Sequence, residues 1–108
     1  MPQPLDLTEA DDGRVLRCRV GDRLRLSLFA NPSTGYRWVP DGALPATLSL
    51  HEDDYRARGA AVGSGGDMRW TLQALQAGQA TLVMRLCRTW QADAPPLRRL
   101  AFTIVAHD

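Results

Sequence analysis

Apolar and polar residues alternate along most of the chain, and this two-residue period is what most restricts its fold. Leu16, Cys18 and Val20 alternate with arginines, and three leucines over 23–28 do the same. In a strand, such alternation sends one set of side chains to a core and the other to water. The pattern therefore predicts half-buried antiparallel strands rather than helices.

The alternation extends to seven segments, with an eighth, weaker one near the N-terminus. The predicted strands cover 14–20, 23–28, 36–39, 47–52, 68–75, 80–88 and 97–106, and the weaker one covers 5–8. Helix is the competing interpretation for 74–80 and 97–100. Both stretches are short and Gly78 interrupts the first, so strand ends and a turn are preferred.

Short strands at this spacing predict an all-β fold, an immunoglobulin-like antiparallel β-sandwich of seven to eight strands. The turn signal Gly21-Asp22 predicts that 14–20 and 23–28 pair as a hairpin. The outer face of that hairpin would carry Arg17, Arg19, Arg23 and Arg25. The length of 108 residues fits one domain over 1–108, with 1–12 as a loose N-terminal segment.

Composition excludes two classes of partner. Thirteen basic and twelve acidic residues give a net charge of +1, so no basic footprint for nucleic acid is present. No apolar run approaches the roughly 20 residues that span a bilayer, so no membrane partner is expected. We also expect the protein to be a monomer. All 13 basic residues are arginine, which indicates a high-GC genome rather than a function.

The start of the sequence shows no signal peptide, because a positive region followed by an apolar region is missing. The expected location is cytoplasmic if the chain is complete. It is periplasmic or secreted if a leader has been removed.

Side chains able to do chemistry are few and scattered. The strand patterns place Cys18 and Cys87 on opposite kinds of face, so two free thiols are predicted. The spacing of these cysteines and of His51 and His107 matches no metal site, and no cofactor is expected. Without a nucleophile beside a base, an enzyme is the weakest of the functional hypotheses.

Three loops contain residues that a simple connecting turn does not need. The first loop, residues 31–36, begins with Asn31, which can close an Asx turn, and Pro32, which fixes φ. Gly35 permits a positive φ. These residues predict a stiff loop that presents Ser33 and Thr34 outward. A well-built turn without a function is the alternative.

The glycine-rich loop, residues 59–66, lets a partner approach its backbone closely. It does not fit a phosphate-binding loop, since it lacks a lysine followed by serine or threonine and leads into a strand. A floppy surface loop is the other interpretation.

The third loop, residues 88–96, places Trp90 beside polar residues and prolines at a strand end. Tryptophan and arginine are enriched at binding hot spots, although an indole folded back over the sandwich end is the alternative. Each of the three loops follows an even number of strands after the previous one, so all three should emerge at one end of the sandwich.

The motifs NPSTGY, GSGG and RTW, in this order, resemble those of the chagasin-like family of cysteine-protease inhibitors. The similarity spans about residues 13–105, with Thr89 standing where the family usually has proline. The resemblance implies a reversible inhibitor that occludes the cleft of a papain-like cysteine protease, endogenous or of a host, with three loops. A bacterial source is expected, since many members of the family are bacterial. The residues it implies for protease binding are Asn31, Pro32, Ser33, Thr34, Gly35, Tyr36, Gly63, Ser64, Gly65, Gly66, Arg88, Thr89 and Trp90.

The resemblance also implies a role for each loop. The first loop would sit over the catalytic cysteine, and the glycine-rich loop would exchange main-chain hydrogen bonds on the unprimed side. Trp90 would pack on the primed side, with Arg88 bracing the third loop or pairing with an acidic rim. Trp38 and Trp70, which lie on predicted strands, are assigned to the core. The alternative function is an immunoglobulin-like interaction module without inhibitory activity.

Overall fold

The computed structural model describes residues 5–59, 65–88, 90 and 94–108. These residues form nine strands and two short 3-10 turns, Glu9–Asp11 and Pro32–Thr34. The strands are β1 Leu5–Leu7, β2 Val15–Arg19, β3 Arg23–Ala30, β4 Tyr36–Pro40, β5 Leu48–Glu52, β6 Arg56–Ala57, β7 Gly66–Ala74, β8 Gly78–Arg88 and β9 Arg98–His107. Both stretches for which helix competed, 74–80 and 97–100, contain strand ends and turns, as predicted.

The strands form two sheets around one core, which confirms the predicted all-β sandwich. One sheet has the order β1-β3-β7-β5 with β6 also on β7, and the other has the order β2-β9-β8-β4. Two of the pairings, β1 with β3 and β2 with β9, are parallel, so both sheets are mixed rather than fully antiparallel as predicted. The inward set of each alternating strand fills the core, for example Leu26 and Trp70 from one sheet and Met84 and Phe102 from the other. As predicted, Trp38 is also part of this core.

The predicted hairpin of the second and third strands is wrong. The turn itself forms, since the Arg19 N–H donates to the Asp22 carboxylate at 2.8 Å. However, β2 pairs with β9 and β3 pairs with β1 and β7. The turn is a corner that carries the chain from one sheet to the other, so the apolar faces of both strands meet across the core. Its arginines are accordingly divided between two sheets rather than sharing one outer face.

The described part of the N-terminal segment is not loose, which corrects the expectation for 5–12. Leu7 is buried in the core, and β1 pairs with β3. Thr8 and Asp11 form a capping box around the first 3-10 turn. The Glu9 carboxylate accepts a hydrogen bond from the N–H of Phe29 in β3. This segment is therefore fastened to the strand that leads into the first loop.

Both cysteine thiols are free and buried. Cys18 pairs with Ala106 of β9, and Ala106 pairs with Gly78 at the start of β8. Cys18 therefore lies level with the start of β8, whereas Cys87 lies near the end of that strand. At about 3.3 Å per residue the two cysteines are roughly 30 Å apart, too far to bridge. Burial, with a smaller contribution from the Asp22 carboxylate, raises the pKa of the Cys18 thiol, so this group stays protonated.

Candidate functional site

The strand register brings the described parts of the three loops to one end of the sandwich, here called the loop end. Ala30, the last residue of β3, pairs with Gly66, the first of β7. Tyr36, the first residue of β4, pairs with Arg88, the last of β8. The first loop crosses between the sheets at this level. Three of the predicted site residues lie outside the described part of the chain: Gly63, Ser64 and Thr89.

Local hydrogen bonds build the first loop in the way its sequence predicts. The Asn31 side-chain oxygen accepts from the backbone N–H of Ser33 at 3.1 Å and from its hydroxyl at 2.6 Å, which closes the Asx turn. The Asn31 carbonyl accepts from the N–H and the hydroxyl of Thr34 at 3.0 and 2.7 Å. Gly35 then takes a φ of +81°, and the side chains of Ser33 and Thr34 are exposed. The loop is thus shaped before any partner arrives.

Arg88 ties the third loop to the first. Its Nε donates to the Thr34 carbonyl at 3.1 Å. Its guanidinium lies over the Tyr36 ring, 4.5 Å from the centroid, in a cation–π contact. Of the two roles left open for Arg88, bracing is the one that these contacts support.

Trp90 extends the same connection between the first and third loops. Its indole lies directly against Gly35, where the six-membered ring fills the space that a Cβ would need. Gly35 is therefore required by its backbone conformation and by this contact together. The Trp90 side chain nevertheless remains 68% exposed, which leaves most of its apolar surface free for a partner.

The described end of the glycine-rich loop is packed rather than open. Gly65 and Gly66 are both buried. The Phe29 ring lies where a Cβ of Gly65 would be, and the Tyr55 hydroxyl lies at the corresponding position of Gly66. The Arg58 N–H donates to the Gly65 carbonyl at 3.0 Å, which closes the mouth of the loop. These two glycines allow close packing at the base of the loop.

Sequence reasoning missed three large apolar side chains at the loop end. Phe29, Tyr55 and Leu97 are 41%, 42% and 64% exposed. Phe29 carries a signal that could have revealed it, because it is an apolar residue at an outward position of β3. Each of the three flanks one of the loops that the motifs identify, and exposed apolar side chains are characteristic of interaction surfaces when they form a contiguous patch.

A cleft of about 400 Å³ opens beside the loop end, between β4 and residues 52–55. Tyr36, Tyr55 and Met68 line it, and the Arg37–Glu52 ion pair, at 3.4 Å, joins the two sheet edges there. Within 5–59, 65–88, 90 and 94–108, no group of three His, Cys, Asp or Glu side chains is placed to hold a metal ion. In the same residues, no helix is long and apolar enough to cross a bilayer.

Most of the chain matches a known protein family. A model of the family described as "Chagasin family peptidase inhibitor I42" matches residues 17–104. The chain belongs to the chagasin family. This family consists of peptidase inhibitors rather than enzymes, in agreement with the scattered side-chain chemistry.

Individual proteins are also similar to this chain in sequence or in fold. Amoebiasin-2 of Entamoeba histolytica is 31% identical over 102 residues, which cover 92% of this chain and 82% of the relative. The crystal structure of the cysteine protease inhibitor EhICP2 from the same organism matches with a TM-score of 0.83 at 29% identity, covering 99% of this chain and all of that one. The structure of PbICP-C in complex with falcipain-2 shares the fold, with a TM-score of 0.68 at 16% identity over 99% and 93% of the chains. The first two come from Entamoeba, so these relatives do not support the expected bacterial source.

Proposed function

We propose that this chagasin-family inhibitor acts reversibly on papain-like cysteine proteases and fills their active-site cleft with its loop end. The observation that carries the proposal is the connection of Arg88 and Trp90 to Thr34 and Gly35, which joins two loops into one preformed wedge. Preorganisation lowers the ordering cost of binding and so raises affinity. A cysteine-protease target is supported by the similarity to EhICP2, which is named as a cysteine protease inhibitor.

The first loop forms the apex of the wedge, over the catalytic cysteine of the enzyme. Peptide cleavage requires a substrate carbonyl that is free to enter the oxyanion hole. Here the Thr34 carbonyl accepts from Arg88 and the Asn31 carbonyl accepts from Thr34, so both are already engaged within the inhibitor. The wedge therefore occupies the cleft without presenting these two carbonyls for attack, which disfavours cleavage of the chain at these positions.

The other two loops flank the apex. Gly63, Ser64, Gly65 and Gly66 belong to the glycine-rich loop, which exchanges main-chain hydrogen bonds with the unprimed side of the cleft. Trp90 buries its exposed indole on the primed side, as an aromatic anchor at the edge of the interface. The whole of 1–108 acts as one inhibitor domain.

The proposal is tested by titrating papain with the purified chain and following the hydrolysis of a fluorogenic peptide. We expect residual activity to fall to zero and to recover on dilution, while trypsin, a serine protease, keeps full activity. A folded sample that leaves papain active at micromolar concentration would refute inhibition and favour the alternative, an interaction module with a different partner.

Side-chain size at position 34 provides a prediction about the confined part of the cleft. Thr34→Ala loses the hydroxyl bond to the Asn31 carbonyl, 2.7 Å long, and we expect the inhibition constant to rise only a few-fold. Thr34→Arg places a long side chain at the apex, and overpacking of about 1–3 kcal/mol corresponds to a rise of roughly 5- to 150-fold. Ser49→Arg on β5, far from the loop end, is the control and should leave the constant unchanged. Equal effects of the alanine and arginine variants would contradict the assignment of Thr34 to the apex.

A further inference from the structure

Arg58, immediately before the glycine-rich loop, makes three separate contacts at the mouth of that loop. Its backbone N–H donates to the Gly65 carbonyl at 3.0 Å. Its guanidinium forms a two-bond fork with the Asp67 carboxylate, at 2.6 and 3.2 Å. It also lies over the Phe29 ring, 4.9 Å from the centroid. Arg58 thus joins the two ends of the loop to each other and to β3.

Phe29 is the platform on which these contacts meet. It pairs with Asp67 across β3 and β7. The edge of its ring lies against Gly65, at a place where any side chain on that residue would collide. On the other side of the strand, the Phe29 N–H donates to the Glu9 carboxylate. The N-terminal 3-10 turn is therefore connected through Phe29 to the base of the glycine-rich loop.

The chemistry of these contacts favours a fixed geometry over a general gain in stability. An ion pair between exposed side chains usually contributes little to folding, and the Arg58 side chain is 55% exposed. A planar guanidinium that is bonded through two nitrogens and stacked on a ring is, however, held in one orientation. The hydrogen bond to Asp67 raises the pKa of Arg58, so its charge persists at every pH at which a protease works.

We propose that Arg58 and Phe29 are positioning residues for inhibition, which hold both ends of the glycine-rich loop so that it meets the protease in its bound shape. The proposal rests on the proposed function and deepens it, since no motif of the family resemblance includes either residue. Closing the ends of a loop reduces the conformations it must lose on binding. These contacts join the two ends of one loop to each other rather than holding the core together. Loss of the contacts should therefore weaken protease binding more than it lowers the stability of the fold.

The first test compares two exposed arginines that are both paired with an aspartate. Arg58→Met removes the fork and the stacking, whereas Arg14→Met removes the Arg14–Asp11 pair, 2.8 Å long, away from the glycine-rich loop. We expect Arg58→Met to raise the inhibition constant for papain about tenfold and Arg14→Met to leave it unchanged, with similar melting temperatures. Arg58→Lys should recover only part of the loss, because an ammonium group cannot form the planar fork.

A double-mutant cycle separates positioning from direct contact with the enzyme. In a variant whose residues 60–64 are replaced by Asp-Gly, the loop no longer reaches a partner, so Arg58→Met should have no further effect. In a Trp90→Ala background its tenfold effect should persist, since distant and independent sites add. An unchanged inhibition constant in Arg58→Met, or the same loss in the shortened loop, would overturn the proposal.

Amide hydrogen exchange tests the same contacts without a protease. Exchange at residue 58 should be faster in Arg58→Met than in the wild type and in Arg14→Met, because the bond to Gly65 is released more often. Unchanged exchange would refute the positioning role. Failure of the wild type to inhibit papain would refute the proposed function instead, and this measurement would still decide whether Arg58 holds the loop.

Discussion

Replacement of Trp90 by alanine is expected to weaken inhibition of papain about 30-fold and to leave the melting temperature nearly unchanged. Truncation of a tryptophan at a binding hot spot costs about 2 kcal/mol or more, which corresponds to this loss in affinity. The side chain is 68% exposed in the free chain, so little packing is lost on removal. Part of the effect arises because the indole no longer supports Gly35 in the first loop.

The measurement is an inhibition constant together with a thermal unfolding curve for each variant. Leu75→Ala is a suitable control, because Leu75 is also an exposed apolar residue but follows β7 at the opposite end of the sandwich. It should change neither quantity. Parallel losses of affinity and melting temperature in Trp90→Ala would show that Trp90 serves the fold rather than the binding surface.

Replacement of Trp38 by alanine is expected to do the reverse and to destabilise the fold strongly. Trp38 is 2% exposed, and its indole N–H donates to the Phe29 carbonyl at 2.9 Å. Removing a buried tryptophan costs about 3–5 kcal/mol, and the Phe29 carbonyl loses its partner as well. For a domain of this size, each kcal/mol lowers the melting temperature by about 4–8 °C, so a fall of roughly 20 °C is expected.

Trp38→Phe is the matched control, since it keeps most of the packing and loses only the hydrogen bond and part of the ring. The melting temperature of this variant should fall by a few degrees. The variant should inhibit papain normally at a temperature at which it is folded. A Trp38→Ala variant with an intact melting temperature would contradict the core assignment. Together, the Trp90 and Trp38 substitutions separate binding from stability in two residues of the same type.

Hydrophobic alternation was sufficient to predict the strands and the sandwich, because it depends only on which face of each strand is buried. Alternation could not predict which strands pair with each other, and this is why β2 and β3 were paired wrongly. Two strands show the same pattern of inward leucines whether they lie in one sheet or in two facing sheets. The short strand β6, Arg56–Ala57, was missed because alternation with a period of two cannot be recognised in a segment of two residues. The parallel pairings of β1 with β3 and of β2 with β9 were missed because alternation says nothing about the relative direction of two strands.

The sequence was sufficient to predict those parts of the site that are formed by residues close to one another in the chain. Asn31, Pro32 and Gly35 specify the first loop within a few residues, and the hydrogen bonds match that expectation. The contacts of Arg88 with Thr34 and of Trp90 with Gly35 depend on the strand register, which the sequence did not provide. Exposure of Phe29 was visible in the pattern as an apolar residue at an outward position, but its role required the structure.

The parallel pairing of β2 with β9 has a consequence for how this inhibitor is made. Val15 pairs with Thr103, so nearly the whole chain separates two neighbours in the sheet that also contains β4 and β8. Contacts between residues so far apart in sequence slow folding, and on the ribosome this sheet cannot be completed before the last strand has emerged. A newly synthesised chain therefore exists first as a peptide that proteases can digest, and it becomes able to block a protease only when β9 has paired with β2.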